Sequence, residues 1–149
     1  MVEIRRLGVA DAGLLPEVNR LYGEAFAEVD EYAADPPTEA RANELLGNDD
    51  AILLVAFDGK RPVGALTAYV LPKFEQNRSE LFIYDLAVAE NFRRQGIATQ
   101  LIRAAGRLAR ERGVWIMFIQ AEAGDEPPLA LYRKLSVSEE VAHHFDIEP

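Results

Sequence analysis

Six residues, Arg93-Arg94-Gln95-Gly96-Ile97-Ala98, join the end of an apolar run, Leu81–Val88, to the start of a helical pattern. A helix N-terminus leaves backbone N–H groups unpaired and carries the positive end of the helix dipole, so phosphate oxygens bind there readily. Gly96 and Ala98 have almost no side chain and let the backbone approach a pyrophosphate closely, while Arg93 and Arg94 add charge beside it. The plain alternative is an ordinary helix start with a small residue for packing. No Gly-x-x-x-x-Gly-Lys is present, which excludes a P-loop. No Gly-x-Gly-x-x-Gly follows the first strand, so a dinucleotide fold is unsupported.

A second candidate is Asp85, an acid inside the apolar strand that leads to this loop. An unpaired carboxylate there is costly, so Asp85 is either half of a hidden salt bridge or a residue of a site. In the second reading it binds an ammonium group and takes its proton. Strand alternation points its neighbour Tyr84 to the opposite face, into the core, unless a bulge changes its aim. Glu122, Asp125, Glu126 and Asp146 are further carboxylates able to gather a cationic substrate, although each alone reads as a solvated surface acid. His143 and His144 are adjacent, and adjacent strand residues face opposite ways, so they suit a structural or rim role better than a shared metal. Trp115 opens an apolar run and reads as core.

The elements that must position these residues follow from periodicity. Val2 to Leu7 reads as a first strand, and Asp11 as a cap for a helix carrying Leu14, Val18, Leu21, Tyr22 and Phe26 on one face. Asp30 to Pro37 is acidic, ends in two prolines and reads as a loop. Thr38 caps a second helix with Leu45 and Leu46 on its inner side. Ala51–Phe57 and Pro62–Leu71 are strands joined at Asp58-Gly59, a hairpin signal. After Leu81–Val88 the period becomes helical from Gln95 to Arg112, where Gly113 closes the helix. Val114–Ala121 is a strand, Gly124–Pro128 a loop, Leu129–Leu135 a helix and Val137–Ile147 a last strand. The order β-α-α-β-β-β-α-β-α-β implies one α/β domain over residues 1–149, a mixed sheet covered by helices.

Composition narrows the partners. There are 16 basic and 25 acidic residues, a net charge of −9, which argues against a nucleic-acid binder. With no cysteine and two histidines, disulfides, a thiol nucleophile and a Cys/His metal site drop out. No signal-peptide pattern or membrane-length apolar run is visible, so the expectation is a soluble, cytoplasmic protein with no membrane partner. The charge is segregated: residues 17–50 carry ten acids and two bases, residues 91–112 six bases and one acid, and residues 122–149 seven acids and two bases. One cationic junction between two anionic flanks suits one anionic and one cationic ligand, the plain alternative being random surface charge.

Taken together, these segments resemble the GNAT superfamily of acetyl-CoA-dependent N-acetyltransferases. Arg93-Arg94-Gln95-Gly96-Ile97-Ala98 matches its pyrophosphate signature, Asp85-Leu86-Ala87-Val88 looks like its fourth strand, and Leu129-Ala130-Leu131-Tyr132-Arg133-Lys134-Leu135 looks like its later helix motif. The segments Leu71–Gln76, Ile83–Val88, Ile119–Ala121, Gly124-Asp125 and His144–Ile147 further resemble type I aminoglycoside 3-N-acetyltransferases. Two departures are Ser136, where that helix motif usually ends in Gly, and Pro127-Pro128 at its approach; both bear on the acceptor-side wall.

The resemblance implies a mostly antiparallel mixed sheet splayed at the fourth and fifth strands. It implies acetyl-CoA held by Leu86, Ala87, Val88, Arg93, Arg94, Gln95, Gly96, Ile97, Ala98 and Thr99. The Leu86 N–H would face the thioester carbonyl, Val88 would pair with pantetheine, and Tyr132 would protonate the leaving sulfur. A helix tyrosine packed on the sheet is the plain alternative for Tyr132. Asp85, Glu122, Asp125, Glu126 and Asp146 would meet an aminoglycoside, and a homodimer is expected. Other acceptors (a polyamine, a small amine, a protein N-terminus) and a non-catalytic coenzyme A-binding module stay open.

Overall fold

The computed structural model describes all residues, 1–149. Five strands form one sheet in chain order: β1 (Glu3–Arg6), β2 (Ala51–Asp58), β3 (Arg61–Pro72), β4 (Ser79–Val88) and β5 (Ile116–Ile119). The first three neighbouring pairs are antiparallel and β4–β5 is parallel. Five helices flank the sheet: α1 (Leu15–Phe26), α2 (Val29–Ala34), α3 (Glu39–Leu46), α4 (Ile97–Glu111) and α5 (Glu126–Leu135).

Alternation along the strands splits the core into two layers. One face of the sheet, with Ile52, Leu54, Leu66, Leu81 and Ile83, packs on Ile97, Leu101 and Ala105 of α4. The other, with Val55, Phe57 and Ala65, packs on Val18, Leu21 and Tyr22 of α1. Gly64 on β3 permits the close approach of α4, because a Cβ there would lie 3.0 Å from Ile97 Cγ2 and 3.3 Å from Leu101 Cδ1. The Thr38 hydroxyl accepts from the Arg41 N–H and starts α3, as its residue type suggests.

Three expectations are corrected. The acidic stretch after α1 is not all loop, since Val29–Ala34 is helical. Gly23 lets this short helix lie against α1, where a Cβ would meet Val29 Cα at 3.0 Å, and Tyr32 packs on Tyr22 and Phe26. Residues 137–147 form no strand. Their backbone finds no partner within the chain, and strand propensity without a paired edge builds no ladder. Trp115 is not core: it is 54% exposed and carries the Arg78 guanidinium carbon 3.3 Å from its ring centre. β5 is also shorter than its apolar run, and α5 begins three residues before Leu129, with Pro127 and Pro128 in its first turn. No helix is long and apolar enough to cross a membrane.

Candidate active site

β4 and β5 pair only from Glu80 opposite Ile116 to Ile83 opposite Ile119. β4 runs on for five residues, Tyr84–Val88, beyond that last pair, so on the β5 side this stretch has no strand partner. Such a splay opens a slot lined by unpaired backbone, and an extended chain carrying amides can add there as a further strand.

The slot leads to the loop before α4. The first helical hydrogen bond runs from the Gln100 N–H to the Gly96 carbonyl. The N–H groups of Arg94 through Thr99 donate to no backbone carbonyl, and no side chain caps the helix. Arg94 and Gly96 both take left-handed φ values, 62° and 79°, which curl the chain and point successive N–H groups outward. A Cβ on Gly96 would meet nothing within 4 Å, so the space in front of the loop is open. Arg93 Nε donates to the Val88 carbonyl at 3.2 Å and ties the cationic loop to the end of β4. The donor set and charge fit an anion of pyrophosphate size, and the slot fits the amide-bearing chain attached to one. The candidate residues Leu86 to Val88 and Arg93 to Thr99 are therefore contiguous along one track.

Asp85 lies on the opposite side of β4 from α4. The bulge at Thr67/Ala68 sets Thr67 opposite Asp85 and Ala68 opposite Ile83, leaving Tyr84 as the extra residue. Ile83, Leu86 and Val88 therefore all pack towards α4, whereas Ala87 packs towards α1. Tyr84 shares the α1 face with Asp85: its ring meets Tyr69 edge-on at 6.0 Å and Phe82 at 5.5 Å. This corrects the expectation that Tyr84 is core, for it is 62% exposed. Phe82 in turn stacks on Phe118 of β5 at 4.7 Å.

Asp85 has no cationic partner, so the hidden salt bridge does not exist. Burial raises its pKa above the ordinary carboxylate value, the nearby Tyr32 hydroxyl opposes the rise and the Glu28 carboxylate adds to it. Burial, then the charge of Asp85 and that of Glu28, push the Tyr32 hydroxyl up to about 12, and burial with the Asp85 charge raises Tyr69 in the same sense. Tyr22, deeper in the face, is held 2.8 Å from Thr67 Oγ1. The result is a half-buried acid without a counter-ion, walled by tyrosines that stay protonated at neutral pH. A site of this kind favours a bound ammonium and can accept its proton. Tyr32, Tyr69 and Glu28 are not singled out by sequence. Only the acidity of residues 17–50 signals that this flank meets the strand acid.

Tyr132 sits on α5, apart from Asp85. Burial raises its pKa to about 12, with the Asp125 charge as a second cause, so it keeps its proton at neutral pH. Glu126 lies 4.0 Å from Arg133, whose closer partner is Glu139 at 2.7 Å. Glu122 and Asp125 are exposed. Asp146 meets only His144, at 2.9 Å, and joins neither Asp85 nor Tyr132 within the chain. His143 and His144 lie on the exposed C-terminal segment.

The five-stranded sheet, with its parallel β4–β5 pair splayed beside an uncapped helix start, has the GNAT fold. The chain belongs to the GNAT acetyltransferase family, whose description matches residues 15–136. Among solved structures it is similar to an aminoglycoside acetyltransferase, HMB0005, from an uncultured soil metagenomic sample. The two are 42% identical over 100% of this chain and 99% of the other, with a TM-score of 0.95. It is also similar to the aminoglycoside acetyltransferase meta-AAC0020 from an uncultured soil metagenomic sample, solved in complex with sisomicin. That structure is 30% identical, the match covers 99% of this chain and 96% of that one, and the TM-score is 0.91. The aminoglycoside N-acetyltransferase AAC(6')-Iy in complex with CoA shares the fold at 18% identity, covering 99% and 95% of the chains with a TM-score of 0.79. No match was found among curated protein sequences.

Proposed function

We propose that this acetyltransferase moves the acetyl group of acetyl-CoA to the 3-amino group of a 2-deoxystreptamine aminoglycoside, and so inactivates the antibiotic in the cytoplasm. The observation that carries the reading is Asp85, a desolvated carboxylate with no counter-ion beside the slot, on a face edged by acids. Support for the acceptor comes from the relatives at 42% and 30% identity, both aminoglycoside acetyltransferases, the second with sisomicin bound.

Acetyl-CoA supplies an activated carbonyl carbon and a thiolate leaving group. In this reading the N–H groups and guanidinium charges from Arg93 to Thr99 hold its pyrophosphate, and the edge of Leu86–Val88 pairs with its amide-bearing arm. A polycationic acceptor is drawn to the acidic flanks, including Glu122, Asp125, Glu126 and Asp146. One ammonium settles against Asp85, lowers the pKa of that acid by its own charge and then loses a proton to it, directly or through water. The free amine attacks the carbonyl carbon. The Leu86 N–H donates to the oxygen as charge develops there, and the carbon–sulfur bond breaks. Tyr132 donates its hydroxyl proton to the departing thiolate, and the proton that the nitrogen sheds as it becomes an amide returns through water to the Tyr132 oxygen.

The test is thiol release from acetyl-CoA with deoxystreptamine aminoglycosides and polyamines as acceptors, followed by NMR of the product. Acetylation at N3 of the deoxystreptamine ring is expected. Acetylation at another amine would refute the position, turnover of polyamines alone would refute the substrate class, and binding without turnover would refute catalysis.

A further inference from the structure

Four aromatic rings on the sheet, those of Tyr69, Phe82, Tyr84 and Phe118, belong to neither layer of the core. Tyr69 of β3 pairs in register with Phe82 of β4, and Phe82 with Phe118 of β5, so three of the rings form one row across three strands. Tyr84 rises beside the row at the bulge. Phe82 stacks on Phe118 at 4.7 Å, and Tyr84 meets Tyr69 and Phe82 edge-on at 6.0 and 5.5 Å. Their strand neighbours Ala68, Leu81, Ile83, Met117 and Ile119 point the other way and pack towards α4. The core layer under α1 holds Val55, Phe57, Ala65 and Ala87 and stops short of the row. The row is left half-buried and Tyr84 exposed, although aromatic rings carry the largest apolar surface a side chain can hide.

The ends of this strip decide what fits it. Asp85 stands at one end: Thr67, opposite it, lies two residues before Tyr69 on β3, about 7 Å along the strand. Glu80 stands at the other, two residues before Phe82, and is already paired with Lys73 at 3.7 Å, which also holds Glu75 at 2.9 Å. An aromatic span thus runs from a carboxylate without a counter-ion to one that has its own. A wholly apolar occupant would strip water from Asp85 and from the Tyr69 and Tyr84 hydroxyls without replacing it. A further ammonium would find no free carboxylate along the strip. A pyranose ring meets both demands, because its axial C–H groups form an apolar face and its hydroxyls keep a polar rim. Neither aromatic neighbour stacks on Tyr84, so a face of its ring is open to such a contact.

We infer that Tyr84 and the Tyr69–Phe82–Phe118 row form a sugar subsite. When an amine of the aminocyclitol lies against Asp85, the glycosidic ring beside it lays its C–H face on Tyr84 and extends over Phe82 and Phe118. The subsite rests on the aminoglycoside reading and deepens it: Asp85 reads the charge and the aromatic strip reads the uncharged ring, so the acceptor is recognised as a glycoside. Tyr84 is a specificity residue and touches no reacting atom.

The experiment uses the full chain with coenzyme A or acetyl-CoA and two probes, sisomicin and 2-deoxystreptamine, the second having the ring amines and no sugar. In NMR, saturation of the protein's aromatic protons should transfer to the sugar protons of sisomicin. Tyr84→Leu keeps apolar bulk and removes the ring face. It should lower kcat/KM for sisomicin relative to 2-deoxystreptamine by roughly fivefold, the scale of one ring contact, mainly through KM. Tyr84→Phe, which keeps the face, should hold the parental ratio. An unchanged ratio in Tyr84→Leu, or saturation reaching only the deoxystreptamine protons, would overturn the subsite and leave the acetylation reading standing. Saturation of the sugar protons in a protein that acetylates neither probe would support the subsite and refute that reading. Where Tyr84→Leu misfolds by far-UV circular dichroism, or the bare aminocyclitol is not turned over, the transfer measurement on the parent decides.

Discussion

Tyr84 and Asp85 are consecutive on β4, yet both side chains stand on the face that packs towards α1. The bulge at Tyr84 makes this so, and it turns the acid away from the core layer that Leu81 and Ile83 fill against α4. Without the extra residue the alternation would place Asp85 under α4, among aliphatic side chains. One irregularity therefore decides whether the acid is buried among aliphatic side chains or stands on the tyrosine-lined face.

Asp85→Asn separates those two roles by moving stability and activity in opposite directions. Folding raises the pKa of Asp85, so the charged form is penalised in the native state. That penalty is absent below the ordinary value of 3.8, grows as pH rises through the folded value and is complete at neutral pH. The Asn variant should melt at a higher temperature than the parent at neutral pH and lose that advantage in acid. Its kcat/KM should fall by at least about 10²-fold, part of the loss being recovered at high pH, where free amine is more abundant. Calorimetry and steady-state kinetics check the two halves; a lower melting temperature with near-parental kcat/KM would make Asp85 a structural acid.

Tyr132→Phe keeps the ring and removes only the hydroxyl. The raised pKa, about 12, means the group carries its proton throughout the working range. If that proton reaches the departing thiolate, kcat should drop by about 10²-fold, while acetyl-CoA affinity barely changes. Pre-steady-state kinetics must show chemistry to be rate-limiting, since slow product release would mask the loss. An unchanged chemical rate removes Tyr132 from the mechanism.

The parts of the fold legible in the sequence are those set by local periodicity. The apolar run of β2, the hairpin turn at Asp58-Gly59 and the switch to helical period after Gly96 each follow from residue types within one element. α2 is not legible, because a six-residue helix with one aromatic anchor has too few residues to show a period. Its position depends on Gly23, a contact between elements. The turn before α4 is legible for the same local reason as its helix, since Gly96 takes the left-handed φ that opens it. The surroundings of Asp85 are not, because Tyr32 and Tyr69 come from other elements and the facing of Tyr84 depends on register with β3. The C-terminal segment has the pattern of a strand and none of its pairing, since pairing is decided by what edge is within reach.

Gly96 tests the loop by bulk as well as by conformation. Its φ of 79° costs an L-residue about 1–2 kcal/mol, so both Gly96→Ala and Gly96→Val should lower stability modestly and still fold, the Cβ pointing into open space. Coenzyme A affinity should distinguish them: the valine should block backbone approach and weaken binding by more than tenfold, with alanine between it and the parent. Calorimetric titration gives the answer, and a valine variant that binds coenzyme A as tightly as the parent would disprove the loop assignment.

Glu126 tests whether the acidic rim gathers the acceptor or joins the reaction. Its carboxylate is exposed and only loosely paired, 4.0 Å from Arg133, whose stronger partner is Glu139. A charge in that position acts through solvent, raising the local concentration of a polycation without touching the reacting atoms. Glu126→Gln should therefore raise KM by a small factor and leave kcat alone. The effect should shrink as salt rises, because the Debye length falls from about 10 Å at 0.1 M to about 3 Å at 1 M. Asp85→Asn should behave otherwise, its defect persisting in salt because a half-buried contact is screened far less. Measuring kcat and KM for both variants across ionic strength, with a deoxystreptamine aminoglycoside as acceptor, sets the two acids against each other. A Glu126 variant that loses kcat, with a defect indifferent to salt, would move that residue from the rim into the site itself.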